Sequence, residues 1–128
     1  MCSGPLLTYL SGRMALSDLL TLTPVGLYCP LADVHIDPVR PVPRALITHG
    51  HSDHARAGHG KVLATRETLA IMGLRYGAQF CDEQQAISYG ERVTLNGLEV
   101  SFHPAGHVLG SAQIRLKSPS GCVVVSGD

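Results

Sequence analysis

The feature that most constrains this chain is Thr48-His49-Gly50-His51-Ser52-Asp53-His54, which places four strong metal ligands within six positions. It follows directly on Arg44-Ala45-Leu46-Ile47-Thr48, a largely apolar run of the kind expected of a strand buried on both faces. In extended backbone, residues i and i+2 face the same side, so His49 and His51 can reach one metal ion. As the chain turns away, Asp53 and His54 can address a second. Imidazole and carboxylate without sulfur suit zinc, manganese or iron rather than a structural zinc finger. Gly50, Ser52 and Ala55 leave the space that a tight metal loop needs. The bland alternative is a histidine-rich surface loop that captures metal adventitiously. Isolated histidines are usually structural or exposed, and His35 and His59 are read that way.

Composition bounds the rest. The chain has 128 residues, 45% of them hydrophobic and 16% charged, which is enough for one small globular domain with a buried core. Ten basic and ten acidic side chains cancel, arguing against a freestanding basic nucleic-acid module. A nuclease is not excluded, because a metal site supplies its own positive field. Cys2, Cys29, Cys81 and Cys122 form no C-x-x-C pair, so neither a thiolate zinc site nor a disulfide scaffold is expected, and a reduced, cytoplasmic protein is. No apolar run approaches the length of a membrane span, and the stretch from Gly4 to Leu10 lacks the basic flank of a signal peptide. Met14 is an alternative start.

Along the chain there is no repeat, linker or low-complexity tract. Residues 16 to 22 fit a short helix or a strand equally well. Val34-His35-Ile36-Asp37 alternates and reads as a strand ended by Pro38. Thr65 caps a helix from Arg66 to Tyr76, with Leu69, Met72 and Tyr76 on one stripe and Gly77 closing it. Asn96-Gly97 between Arg92–Leu95 and Leu98–Phe102 specifies a type I′ β-hairpin. A second pair runs from Ala112 to Leu116 and from Cys122 to Val125, joined by a Ser-Pro-Ser-Gly turn. These elements make one strand-rich layer and at least one helix. The stop at Asp128, directly after the apolar run Val123-Val124-Val125, is expected of a chain cut inside its fold.

With these residues in place, the chain resembles the metallo-β-lactamase fold, an αββα sandwich of hydrolases, whose signature is H-x-H-x-D-H. Asp37 matches the family's first acidic motif, which supports the loop by hydrogen bonds. His103-Pro104-Ala105-Gly106-His107-Val108-Leu109-Gly110-Ser111 matches the third, with His107 as the metal ligand and His103 as a structural residue. Val124-Val125-Ser126-Gly127-Asp128 matches the fourth, with Asp128 as the carboxylate bridging both metals. The expected organisation is an N-terminal segment of uncertain structure, residues 1–24, and a truncated metallo-β-lactamase-like domain, residues 25–128. The stretch Ala-Gly-His-Val-Leu-Gly-Ser-Ala is similar to the β-CASP nucleases. Residues 22–30 and 36–42 resemble the bacterial DNA-ligase-associated exonucleases and the RNA 3′-end processing enzymes. The β-CASP region itself, with the last ligand of the second metal, is absent, so the resemblance implies activity for the full-length protein and an inactive chain when this part stands alone.

The resemblance implies a nuclease that uses two divalent ions, Zn²⁺ or Mn²⁺, to activate water, with metal ligands His49, His51, Asp53, His54, His107 and Asp128. Asp53 also orients the nucleophile, and Asp37 accepts a proton from a ligand histidine. Nucleic acid is the implied partner, DNA ahead of RNA, with a DNA ligase and a helicase as associates. Arg40, Arg44 and Arg56 flank the site and could meet phosphates; such arginines are more often solvated or paired with acids. The rival readings are a hydrolase of thioesters or other small esters and amides on the same fold, and an inactive truncated chain.

Overall fold

The computed structural model describes residues 6–10, 19–119 and 121–127. The first strands are β1 (Leu6–Leu10), β2 (Thr21–Thr23), β3 (Gly26–Cys29), β4 (Val34–Ile36), β5 (Arg44–Leu46) and β6 (His59–Ala64). Helix α1 (Arg66–Tyr76) is followed by β7 (Cys81–Ala86), β8 (Arg92–Leu95), β9 (Leu98–Pro104), β10 (Ala112–Ser118) and β11 (Gly121–Val125). They build two sheets, a five-stranded one in the order β1-β11-β10-β9-β8 and a six-stranded one in the order β2-β3-β4-β5-β6-β7. The five-stranded sheet is antiparallel throughout, whereas β4 to β7 run parallel.

Alternation along single strands explains the layering. Leu46 and Leu63 enter a core between the sheets, shared with Leu98, Val100, Phe102, Ile114, Leu116 and Val123. Their neighbours Ala45, Ile47, Val62 and Ala64 enter a second core, against Leu69 and Met72 of α1. The apolar runs of β5 and β6 are therefore buried on both faces, as parallel strands require. Among the described residues the layers are sheet, sheet and helix, a mixed α+β sandwich; no helix described here covers the outer face of the five-stranded sheet. No helix among the described residues is long and apolar enough to cross a membrane.

The helix has the bounds its caps specify. Thr65 accepts from the Thr68 amide, and the Gly77 amide donates to the Gly73 carbonyl. Tyr76 departs from the expected buried stripe: it is 38% exposed, and its hydroxyl donates to the Ala55 carbonyl at 2.8 Å. The hairpin turn is also formed as expected, with φ +50° at Asn96 and +81° at Gly97. The two sheets are those expected of an αββα sandwich, where local patterning alone gave one strand-rich layer. β1 and β2 join them, so part of the segment before residue 25 belongs to the sandwich. β3, β6 and β7 were not foreseen. Cys29 and Cys81 are free thiols; Cys122 is disulfide-bonded, although the scattered cysteines gave no sign of pairing.

Candidate metal centre

The two sheets meet at one end of the sandwich, and the candidate ligands collect there. The chain leaves β5 through Ile47 and Thr48, and the Ala112 amide at the start of β10 donates to the Thr48 carbonyl at 2.7 Å. Gly127, just past β11, packs on the same threonine: a Cβ there would lie 2.5 Å from Thr48 Oγ1. Both histidine-bearing loops are therefore anchored on one point.

After Thr48 the backbone closes a single turn, with the His54 and Ala55 amides donating to the His51 carbonyl at 2.9 and 2.8 Å. Arg75 Nη1 of α1 donates to the Gly50 carbonyl at 2.6 Å, holding the turn against the helix. Gly50 is needed for that approach, because a Cβ would sit 2.8 Å from Ile71 Cγ2. The His107 loop is clamped from inside by Ser111, whose hydroxyl accepts from the His107 and Val108 amides at 3.1 and 3.2 Å. It is tied to α1 by Thr65 Oγ1, which donates to the Gly110 carbonyl at 2.7 Å.

These restraints bring His49, His51 and His107 together. Their ring centroids are 5.0, 4.9 and 4.8 Å apart and their planes cross at 81°, 83° and 87°. Three mutually edge-on imidazoles direct their nitrogens at a common point rather than stacking. His51 Nδ1 and His107 Nε2 lie 3.2 Å apart. Zinc–nitrogen bonds of about 2.0–2.1 Å in a tetrahedral site put neighbouring nitrogens about 3.3 Å apart. The donor set and its spacing thus fit a divalent transition metal. His54 stacks at 4.2 Å from His49 on another side, and its Nε2 lies 3.6 Å from Asp53 Oδ2. The Asp53 side chain is 73% exposed and open to solvent.

Asp37 also lies within reach of His49 and His54, but its oxygens are occupied as acceptors. It sits one residue past β4 in left-handed backbone, φ +48°, a conformation that Asp tolerates better than most residues. Its Oδ1 accepts from the Thr48 amide at 2.8 Å. Its Oδ2 accepts from Thr48 Oγ1 at 2.6 Å and from His54 Nδ1 at 2.8 Å. Since the single hydroxyl proton of Thr48 goes to Asp37, the 2.8 Å contact of Thr48 Oγ1 with His49 Nδ1 is one in which the imidazole donates. One carboxylate therefore places the proton on Nδ1 of both histidines, directly for His54 and through Thr48 for His49, and presents Nε2 of each as the lone-pair atom.

The remaining histidines stand apart. His103 pairs with Ser101 Oγ at 2.9 Å. His59 is 1% exposed and its Nδ1 accepts from the Val42 amide, while burial, aided by nearby His35, lowers its pKa and keeps it neutral. Burial lowers the pKa of His35 as well, against the opposing charge of Asp33. Asp128, expected as the bridging ligand, lies outside the described residues. Thr48, Ser111 and Arg75 were missed by the sequence reading; nothing in their local pattern separates them from ordinary loop and helix residues.

No family model matches the chain. It is similar to a protein of Opitutus terrae named as a probable DNA ligase, 35% identical over 104 residues, 80% of this chain and 10% of that one. It is similar to the RNase aCSPSF2 of Saccharolobus solfataricus, 43% identical over 47 residues, 37% of this chain and 10% of that one. A ribonuclease of Thermus thermophilus is 31% identical over 111 residues, 68% of this chain and 26% of that one. Among solved structures, a flavodiiron protein from Giardia intestinalis superposes with a TM-score of 0.49 at 15% identity, over 69% of this chain and 22% of that one. The chain thus spans between a tenth and about a quarter of the curated relatives it matches. Its sandwich and histidine cluster resemble those of the metallo-β-lactamase fold. Within that class the chain is similar to the β-CASP nucleases, in keeping with the two relatives that carry ribonuclease names.

Proposed function

We propose that the protein hydrolyses nucleic-acid phosphodiester bonds with two divalent metal ions, zinc or manganese, acting on DNA or RNA from an end. The observation that carries this reading is the convergence of His49, His51 and His107, three edge-on imidazoles from two loops of different sheets, beside the exposed carboxylate of Asp53. His49, His51 and His107 would hold one ion, His54 and Asp53 would serve the second, and Asp128 would be shared between them. What divalent ions supply in such a site is Lewis acidity toward phosphoryl oxygens and a water acidic enough to attack near neutral pH. Asp53 Oδ2 would hold a proton of the attacking water and aim its lone pair at phosphorus. Asp37 and Thr48 keep the protons of His54 and His49 on Nδ1, so neither ring turns a donor N–H toward the centre.

The test uses end-labelled single- and double-stranded DNA and RNA oligonucleotides beside a thioester, with the full-length protein as wild type and its Asp53→Asn variant. Wild type should shorten at least one of the nucleic acids from an end and stop on chelation, with activity restored by Zn²⁺ or Mn²⁺. Asp53→Asn keeps the side-chain shape, removes its charge and should abolish turnover while the circular dichroism stays that of wild type. Turnover of the thioester with every oligonucleotide intact would overturn the reading.

A further inference from the structure

A cleft of about 520 Å³ opens beside Asp53. Arg40 reaches it from the turn after β4, Arg56 from the loop that follows His54, and Tyr76 from the last residue of α1. Among the described residues, Arg44 donates to the carbonyls of Ala32 and Asp33, Arg75 to that of Gly50, and Arg92 and Arg115 meet Glu99, whereas Arg66, at the far end of α1 from Tyr76, is unpaired but does not line this cleft. Arg40 and Arg56 have neither hydrogen bond nor ion pair among the described residues, and Arg56 Nε is shielded from solvent without an acceptor. Guanidinium groups with no protein acceptor on the wall of an open cleft keep donors for an incoming oxygen. The fork of an arginine matches phosphate geometry. Tyr76 adds an aromatic face, fixed by its hydroxyl bond to Ala55 and by the Arg75 guanidinium 5.6 Å from its ring centroid.

The geometry points to a subsite for the nucleotide adjoining the scissile phosphate: Arg40 and Arg56 take that nucleotide's phosphate and Tyr76 stacks on its base. The inference rests on the phosphodiesterase reading above and adds which side chains hold the nucleotide next to the one cleaved. Asp53 joins the two sites, since it lines the cleft while its Oδ2 lies 3.6 Å from His54 Nε2. A strand whose scissile phosphate meets the ligand cluster leads its neighbouring nucleotide past Asp53 into the cleft. A thioester or a lone phosphodiester has no second phosphate to place there. Two unpaired arginines with an aromatic are the usual means of holding a single strand without reading its sequence.

Fluorescein-labelled short oligomers of thymidylate and of uridylate, with chelator present so that nothing is cleaved, give the binding constant by anisotropy across a salt series. Arg40→Gln and Arg56→Gln should each weaken binding of the bound oligomer by about tenfold and reduce the slope of log K against log salt by about 0.7. In turnover, each variant should lose more kcat/KM on the oligomer than on bis(p-nitrophenyl) phosphate. Lys117→Gln, at the opposite end of β10 from the site, should bind as wild type does. If Arg56→Gln folds poorly, exposed Arg40→Gln carries the same test. Binding by Arg40→Gln indistinguishable from wild type, or equal losses on the two substrates, would overturn the subsite. A wild type that cleaves neither substrate would defeat the phosphodiesterase reading itself, a separate outcome from a wild type that cleaves both while the arginine variants match it.

Discussion

Thr48 has one hydroxyl proton and two neighbours competing for it, an acceptor-only carboxylate and an imidazole nitrogen. Asp37 takes the proton, and the hydroxyl lone pair then receives the Nδ1 proton of His49. Removing the hydroxyl should free His49 to place its proton on Nε2, the atom it turns to the metal. Thr48→Val, nearly equal in volume, is therefore expected to lower metal affinity by roughly 10–100-fold, as such outer partners do, and Thr48→Ser to restore it. Competition with a chromogenic chelator measures both; equal affinity in Thr48→Val and wild type would show that the relay does not set the tautomer. At this scale the candidate ligands from His49 to His54 stand out in the sequence because they are close together and follow a strand. His107 was legible only through its Ala-Gly-His-Val-Leu-Gly-Ser surroundings. Thr48 was not, because its role arises when the fold brings distant segments together and no spacing along the chain encodes that; Arg40 and Arg56 were marked as flanking the site, but not the cleft they share with Tyr76.

Elements hold the ligands through backbone approaches that leave no room for a side chain. The loop carrying His107 meets the start of α1 at Gly110, which has φ +78° and where a Cβ would lie 2.5 Å from Glu67 Cβ and 2.8 Å from Thr65 Oγ1. Gly97 in the β8–β9 turn has a similar φ, +81°, but open space around it. The pair separates conformational strain from crowding. Gly97→Ala should cost only the left-handed penalty, about 1–2 kcal/mol, whereas Gly110→Ala adds overpacking for a total of about 2–5 kcal/mol. Urea unfolding of the two variants checks this, and equal losses would mean that the loop yields at no cost. The same balance of local and long-range terms explains which elements the sequence disclosed. α1 and the two hairpins carry their own caps and turns, so they were readable. β6 opens on His59-Gly60-Lys61 before a run of only three apolar residues, and β7 reads Cys-Asp-Glu-Gln-Gln-Ala, with neither alternation nor an apolar run. Their strand character comes from parallel pairing with β5 and with each other, a tertiary term that overrides local preference.

At the scale of the whole molecule, the candidate metal centre is the place where the two sheets are joined. His49, His51 and His54 hang from the six-stranded sheet and His107 from the five-stranded one, so an ion bound by His49, His51 and His107 cross-links the layers that enclose the main core. Unfolding separates those ligands, and an ion that binds the folded state alone stabilises it by RT ln(1 + [L]/Kd), about 2.7 kcal/mol at a hundredfold excess over Kd. For a chain of this length that corresponds to a rise in Tm on the order of 10 °C. Metal removal should therefore lower Tm by that amount in wild type. His51→Ala should lose most of the metal-dependent part, because two rings cannot close the site that three define. His103→Ala, whose ring bonds to Ser101 instead, should keep it. Calorimetry with and without chelator, beside elemental analysis of metal per chain, makes the comparison for the three proteins. A wild type whose Tm ignores chelation, or a His103→Ala that loses the shift as fully as His51→Ala, would show that the histidine cluster does not bind metal as its geometry implies.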